Sequence, residues 1–101
     1  DIIKDKNKEI DEEILELLLE PLHYHHERWD GKGYYGKKGE DIPFGARIIH
    51  VIDHFRAMVS PYRNHKERKT TEEAIEILKK DCGIKYDPVI VDIFLSKPNL
   101  L

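Results

Sequence analysis

The chain has 101 residues, the size of one compact domain and too short for two. Apolar residues make up 40% and charged residues 37%, which excludes fibrous and membrane-embedded classes; no apolar run approaches the ~20 residues of a spanning helix, and no signal-peptide stretch opens the chain, so a cytoplasmic location and no membrane insertion are expected. Lys and Arg number 17 against 20 Asp and Glu, a net charge of -3 with neutral histidines, which argues against duplex nucleic acid as a partner; the single cysteine, Cys82, excludes an intrachain disulfide.

From Asp5 to Leu19, the apolar residues Ile10, Ile14, Leu15, Leu17, Leu18 and Leu19 recur among glutamates at helical spacing. They predict an amphipathic helix filling residues 1–20, ahead of a region 21–97 within the same single domain. The leucines make its apolar face so wide that a second copy is expected to cover it, giving a homo-oligomer. Pro21 should interrupt this helix and open a short second one to about Arg28, because proline fits a first helical turn and clashes further in. Asp30 to Gly45 holds five glycines and reads as a long loop. Pro43 then opens the central core helix FGARIIHVIDHFRAMVS, with Ile48, Val51, Ile52, Phe55, Met58 and Val59 on one stripe. After a polar connection, Thr70 and Glu73 form a capping-box signature before AIEILKK, and Gly83 marks its stop. Asp87 caps and Pro88 opens a last helix expected to bury Val89, Ile90, Ile93 and Phe94. Alternating strand patterns are absent, so the fold class is all-α.

Five of the six histidines fall between positions 23 and 54. In HYHHERWDG, His25 and His26 project about 100 degrees apart on a helix, so they suit two metal ions, or an ion and a bridging ligand, better than one spot. In the central helix, His50, Asp53 and His54 stand at i, i+3 and i+4, on one side and close enough to share an ion as an HxxDH array. Asp53 sits between Ile52 and Phe55, where a carboxylate calls for a partner or a metal. A nucleophilic role for Cys82 has no adjacent histidine to support it. GKGYYGKKG has neither Walker nor dinucleotide spacing. Lys37 with Lys38, and Lys66 with Arg68 and Lys69, are two small basic clusters in loops.

HHERWDGKGYYG, IPFGARIIHVIDHF, SPYR and EEAIEILKKDCGIKYDPVIVDIFL, in this order, resemble the C-terminal part of an HD-GYP domain. The resemblance runs over about residues 22 to 96. It implies an all-helical fold, here an incomplete HD-superfamily helical bundle, and a bacterial signalling function, hydrolysis of cyclic di-GMP at a site of divalent metal ions, usually iron or manganese. By the same resemblance His25, His26 and Asp53 bind metal and Arg47 lies near the substrate phosphates. Glu27, Asp30, Gly31, Gly33 and Tyr34 match the signature loop, which shapes the site mouth and offers a surface to a partner signalling domain. The sequence departs from the family with GYY at Tyr35 in place of GYP, Arg56 where an aspartate is expected, a connection before Pro61 two residues shorter, and His50 at a position usually small. Nothing resembling the family's upstream His-Asp dyad precedes His25. The expectation for this chain alone is therefore inactivity, the upstream ligands coming from elsewhere. The alternatives are a non-catalytic signalling module that keeps the fold, and a small single-zinc protein built on His50, Asp53 and His54.

Overall fold

The computed structural model describes residues 12–97 other than Glu16 and Leu18. The first helix, α1, has helical backbone at 12–15, 17 and 19–24. Ile10 and Leu18, expected on its apolar face, lie outside the described residues. Three further helices follow: α2 at Phe44–Val59, α3 at Thr71–Lys80 and α4 at Pro88–Leu95. A single 3-10 turn, Gly39–Asp41, interrupts the long loop before α2. The described fold is all-α; Cys82 and Tyr86 form one isolated bridge and no strand.

The expected break at Pro21 is not found. Helical backbone runs unbroken from 19 to 24, and 27–28 are not helical, so the histidines sit at the end of α1 rather than on a helix of their own. The Pro21 ring lies beside Gly45 at the start of α2. A Cβ added to Gly45 would come within 3.0 Å of Pro21 Cγ. A side chain at position 45 would therefore press on the Pro21 ring unless that ring moved by a few tenths of an ångström.

The core lies between α2, α3 and α4. Val51, Phe55 and Met58 of α2 meet Ala74 and Leu78 of α3, Tyr86 of the following connection, and Ile90, Val91 and Phe94 of α4. Phe55 and Phe94 pack edge to face at 5.3 Å between ring centroids. The α2 stripe is as the sequence spacing predicts. The α4 face differs: Val91 is buried, whereas Val89 and Ile93 are 63% and 53% exposed. Ile90, Val91 and Phe94 make one helical stripe, and Val89 with Ile93 make the stripe beside it. All four residues of the expected set are apolar, so only the docking angle of the short helix selects which stripe enters the core.

Both predicted caps form. The Thr70 hydroxyl accepts from the Glu73 N–H and the Glu73 carboxylate accepts from the Thr70 N–H. Asp87 Oδ1 accepts from the Val89 N–H at 2.9 Å, with Pro88 in the first turn. Between α3 and α4, Gly83 takes a φ of +79° and turns the chain back on itself. That turn is also the anchor of the glycine-rich loop. The Trp29 N–H donates to the Lys85 carbonyl at 3.1 Å and the Asp30 N–H to the Ile84 carbonyl at 2.8 Å.

Candidate metal centre

The α1 helix ends at Tyr24, and the next two residues, His25 and His26, form the turn that leaves it. His25 Nδ1 lies 2.5 Å from the Leu22 carbonyl oxygen. A carbonyl only accepts, so Nδ1 carries the hydrogen and, in the neutral ring, Nε2 carries the lone pair. Nε2 faces Asp53 Oδ2 at 3.7 Å. Two electron-pair donors at this separation can bracket one ion, because metal–nitrogen and metal–oxygen bonds of ~2.0–2.2 Å allow them to stand up to about 4.2 Å apart. The donor set therefore fits a divalent metal, with the second ring nitrogen held by a carbonyl as metal-bound histidines commonly are. The His26 ring centroid lies 4.0 Å from that of His25, and its face stacks on Tyr34 at 5.0 Å.

Asp53 is not enclosed, contrary to what its apolar sequence neighbours suggest. Its side chain is 60% exposed. Val51 and Phe55 are buried one residue pair to either side, and the 100° helical step turns position 53 to the opposite face. The HxxDH array is accordingly divided. Asp53 meets His25, while His50 and His54 turn inward, their rings 4.2 Å apart. His54 Nδ1 lies 2.9 Å from the Tyr86 hydroxyl. Burial, then the neighbouring His50 and Lys85, push His54 down to about 4 against the opposing pull of Asp53. Burial and the Asp81 carboxylate push Tyr86 up to about 12. Both are therefore uncharged at neutral pH. His50 is also lowered, chiefly by burial. Among the described residues no three His, Cys, Asp or Glu side chains gather as a metal cage.

The signature loop is held from inside by Glu27. This carboxylate is only 2% exposed. Its Oε1 accepts from the Tyr35 N–H and its Oε2 from the Lys37 N–H at 2.7 Å. Gly33 passes so close beneath that an added Cβ would lie 2.7 Å from Arg28 N and Glu27 Cα. Gly31 adopts a φ of +83°. Asp30 takes the Arg28 guanidinium in a two-point contact, at 3.1 and 2.7 Å, and the Lys32 N–H at 3.0 Å. Burial pushes the Asp30 carboxyl up, but these three bonds and the charges of Arg28 and Lys32 bring it below its usual value. Tyr34 is 78% exposed at the loop surface, and Tyr35 stacks on His23 at 4.6 Å.

Arg47 is engaged within the fold. Its Nη1 donates to Asp87 Oδ2 at 2.7 Å and its Nε to the Ile42 carbonyl at 3.0 Å. Sequence reading found Asp87 as a cap and missed this second role. It likewise missed that Tyr86 would meet His54 and that His50 would meet the backbone of His25. Long-range partners such as these have no local sequence signal.

The core is all-helical, and of the paired histidines at a helix end one faces an aspartate on the central helix; the chain belongs to the HD domain family, which it matches over residues 6–90. It is similar to a cyclic di-GMP phosphodiesterase of Thermotoga maritima, with 45% identity over 84 residues, 82% of this chain and 23% of that protein. A probable cyclic di-GMP phosphodiesterase of Vibrio cholerae is 43% identical over 72 residues, 70% of this chain and 16% of the relative. A 3'3'-cGAMP-specific phosphodiesterase 2 of the same organism is 34% identical over 84 residues, covering 82% of this chain and 16% of its own. The chain thus spans less than a quarter of the length of these curated relatives. Among the described residues, no helix is long and apolar enough to cross a membrane.

Proposed function

We propose that this chain supplies part of the metal site of a phosphodiesterase acting on a cyclic dinucleotide, cyclic di-GMP in the first instance, in bacterial second-messenger signalling. The observation that supports this most directly is the lone pair of His25 Nε2 facing the Asp53 carboxylate at 3.7 Å, with the other ring nitrogen fixed by a carbonyl. His25 and Asp53 would hold one divalent ion, iron or manganese, and His26 would serve a second. Such ions supply a water activated at neutral pH and neutralisation of phosphoryl charge. The chain's own contribution is to orient these donors, and Glu27 fixes the loop that borders them. Two donors make an incomplete set, so the remaining ligands come from outside the described residues and turnover by this chain alone is not expected.

Metal per chain, measured by mass spectrometry on protein purified without chelator under nitrogen, tests the reading. The expected result is one equivalent or more of iron or manganese, lost in His25→Ala and Asp53→Asn and kept in His54→Ala. Loss in His54→Ala with retention in His25→Ala would move the site to the HxxDH array and overturn the reading.

Exposure of Tyr34 and Tyr35 on a loop held by Glu27 favours a second role, contact with a partner signalling domain. Leu15, Leu17 and Leu19, all more than half exposed on α1, favour a second copy of the chain as their cover. A stable monomer in sedimentation at high concentration would remove the homo-oligomer.

A further inference from the structure

His50 stands where the resembled family usually has a small residue, and the metal-ligand reading of His25, His26 and Asp53 gives it no task. It is 5% exposed, on the core side of α2. Its Nδ1 lies 2.6 Å from the backbone carbonyl oxygen of His25. Since that oxygen only accepts, Nδ1 must carry the hydrogen, which leaves Nε2 as the acceptor of the neutral ring. Nε2 is buried and has no hydrogen-bond partner among the described residues. The Lys85 backbone also lies near enough to act on this ring, but it does not satisfy Nε2 within hydrogen-bond geometry, so the well-formed contact of the ring is the one at Nδ1. What it provides is the Nδ1–H.

The place of that donation matters. The turn at His25 is tied within itself, by His25 Nδ1 to Leu22 and by the Glu27 N–H to Tyr24. Neither bond relates the turn to α2. The bond from His50 does, and Asp53 lies three residues further along the same helix, one turn away. Together with the approach of Pro21 to Gly45, this hydrogen bond sets the position of the His25 backbone relative to the helix that carries Asp53. The imidazole of His25 is fixed from its own Nδ1 side, so the backbone anchor determines where Nε2 points.

We infer that His50 is a positioning residue: through the His25 carbonyl it holds His25 Nε2 in register with Asp53, so that the pair can receive a divalent ion. The inference rests on the metal-ligand reading of His25 and Asp53. It makes a specific demand on chemistry at position 50. Asparagine places an amide N–H close to where Nδ1 stands and omits the Nε2 acceptor. Glutamine places its donor near Nε2, too far along the side chain, and alanine has none.

The test compares His50→Asn, His50→Gln and His50→Ala with the parent, using the whole chain. Two quantities are read: the carbonyl carbon shift of His25 by NMR in the metal-free protein, and the affinity for cobalt(II) from its visible absorption band. The expected result is that the carbonyl shift stays at the parent value in His50→Asn and moves in the other two. Cobalt affinity then falls about tenfold or more in His50→Ala and His50→Gln and recovers in His50→Asn, as for partners that orient a metal ligand. An altered carbonyl shift with unchanged cobalt affinity overturns the positioning role while leaving the metal site standing. Equal affinity in His50→Asn and His50→Ala overturns it too. A normal pattern of carbonyl shifts with no cobalt band in the parent overturns the metal reading of His25 and Asp53, and the inference with it. Poor folding of His50→Ala leaves the contrast between asparagine and glutamine to decide.

Discussion

Replacing Arg47 with alanine asks whether this residue is a phosphate clamp or a structural anchor. The Arg47 and Asp87 side chains are 15% and 3% exposed, and their closest atoms are 2.7 Å apart. Asp87 is at the same time the cap of α4. Alanine at 47 would leave a buried carboxylate with the Val89 N–H and no cation. Removing one partner of a buried pair costs about 3–5 kcal/mol, whereas an exposed pair such as Glu76–Lys79 is worth about 0–1 kcal/mol. Since Arg47 keeps some contact with water, the lower end, about 3 kcal/mol, is expected. In a domain of this size that lowers Tm by about 12–24 °C, at 4–8 °C per kcal/mol. Asp87→Asn keeps an oxygen for the cap but sets an amide donor against the Arg47 guanidinium and leaves that cation unpaired, so a comparable loss of about 3 kcal/mol is expected. Urea unfolding followed by far-ultraviolet circular dichroism measures both. An Arg47→Ala protein within about 1 kcal/mol of the parent, but unable to bind a cyclic dinucleotide, would refute the structural role and return Arg47 to the substrate phosphates.

Glu27→Ala should strip the Tyr35 and Lys37 N–H groups of their acceptor, costing about 2–4 kcal/mol for two charge-assisted bonds; hydrogen exchange of those two amides should rise well above that of Trp29, and equal protection in mutant and parent would dismiss the loop-holding role. Gly33→Ala forces a Cβ to 2.7 Å from backbone atoms of Glu27 and Arg28, so a loss of about 1–3 kcal/mol is expected. Gly83→Ala meets no neighbour within 4 Å and suffers only its positive φ, about 1 kcal/mol; thermal melts that reverse this order would contradict the close approach at Gly33. For Glu73, the Thr70 backbone N–H and then its hydroxyl hold the carboxyl below its ordinary value of 4.5. A carboxyl lowered on folding stabilises at pH above its unfolded value and loses that contribution as pH falls through the folded one. The gap in urea midpoint between Glu73→Gln and the parent should therefore narrow on acidification below about pH 4.5, and a gap that widens there would reverse the sign of the effect.

Much of this protein was legible because it is local. The α2 stripe, the Thr70–Glu73 capping box and the Asp87–Pro88 start of α4 each depend on residues within one or two helical turns, and all three form as their spacing predicts. The HHExxDGxGY segment pointed to the family and to a loop shaped by glycine, and Glu27 and Gly33 show how that loop is held. Four matters needed the folded chain. Pro21 lies inside α1, with its ring beside Gly45 of α2. Val91 rather than Val89 is buried because docking of a two-turn helix chooses between apolar stripes. Asp53 faces outward toward His25, which lies 28 positions earlier. Arg47 and Asp87, 40 residues apart, neutralise one another. Sequence spacing reports which side chains share a face of one helix, whereas pairings between elements depend on how the whole core closes. His25, His26 and Asp53 were singled out by the resemblance to the family, and only the tertiary structure turned His50 and His54 inward while Asp53 faces His25.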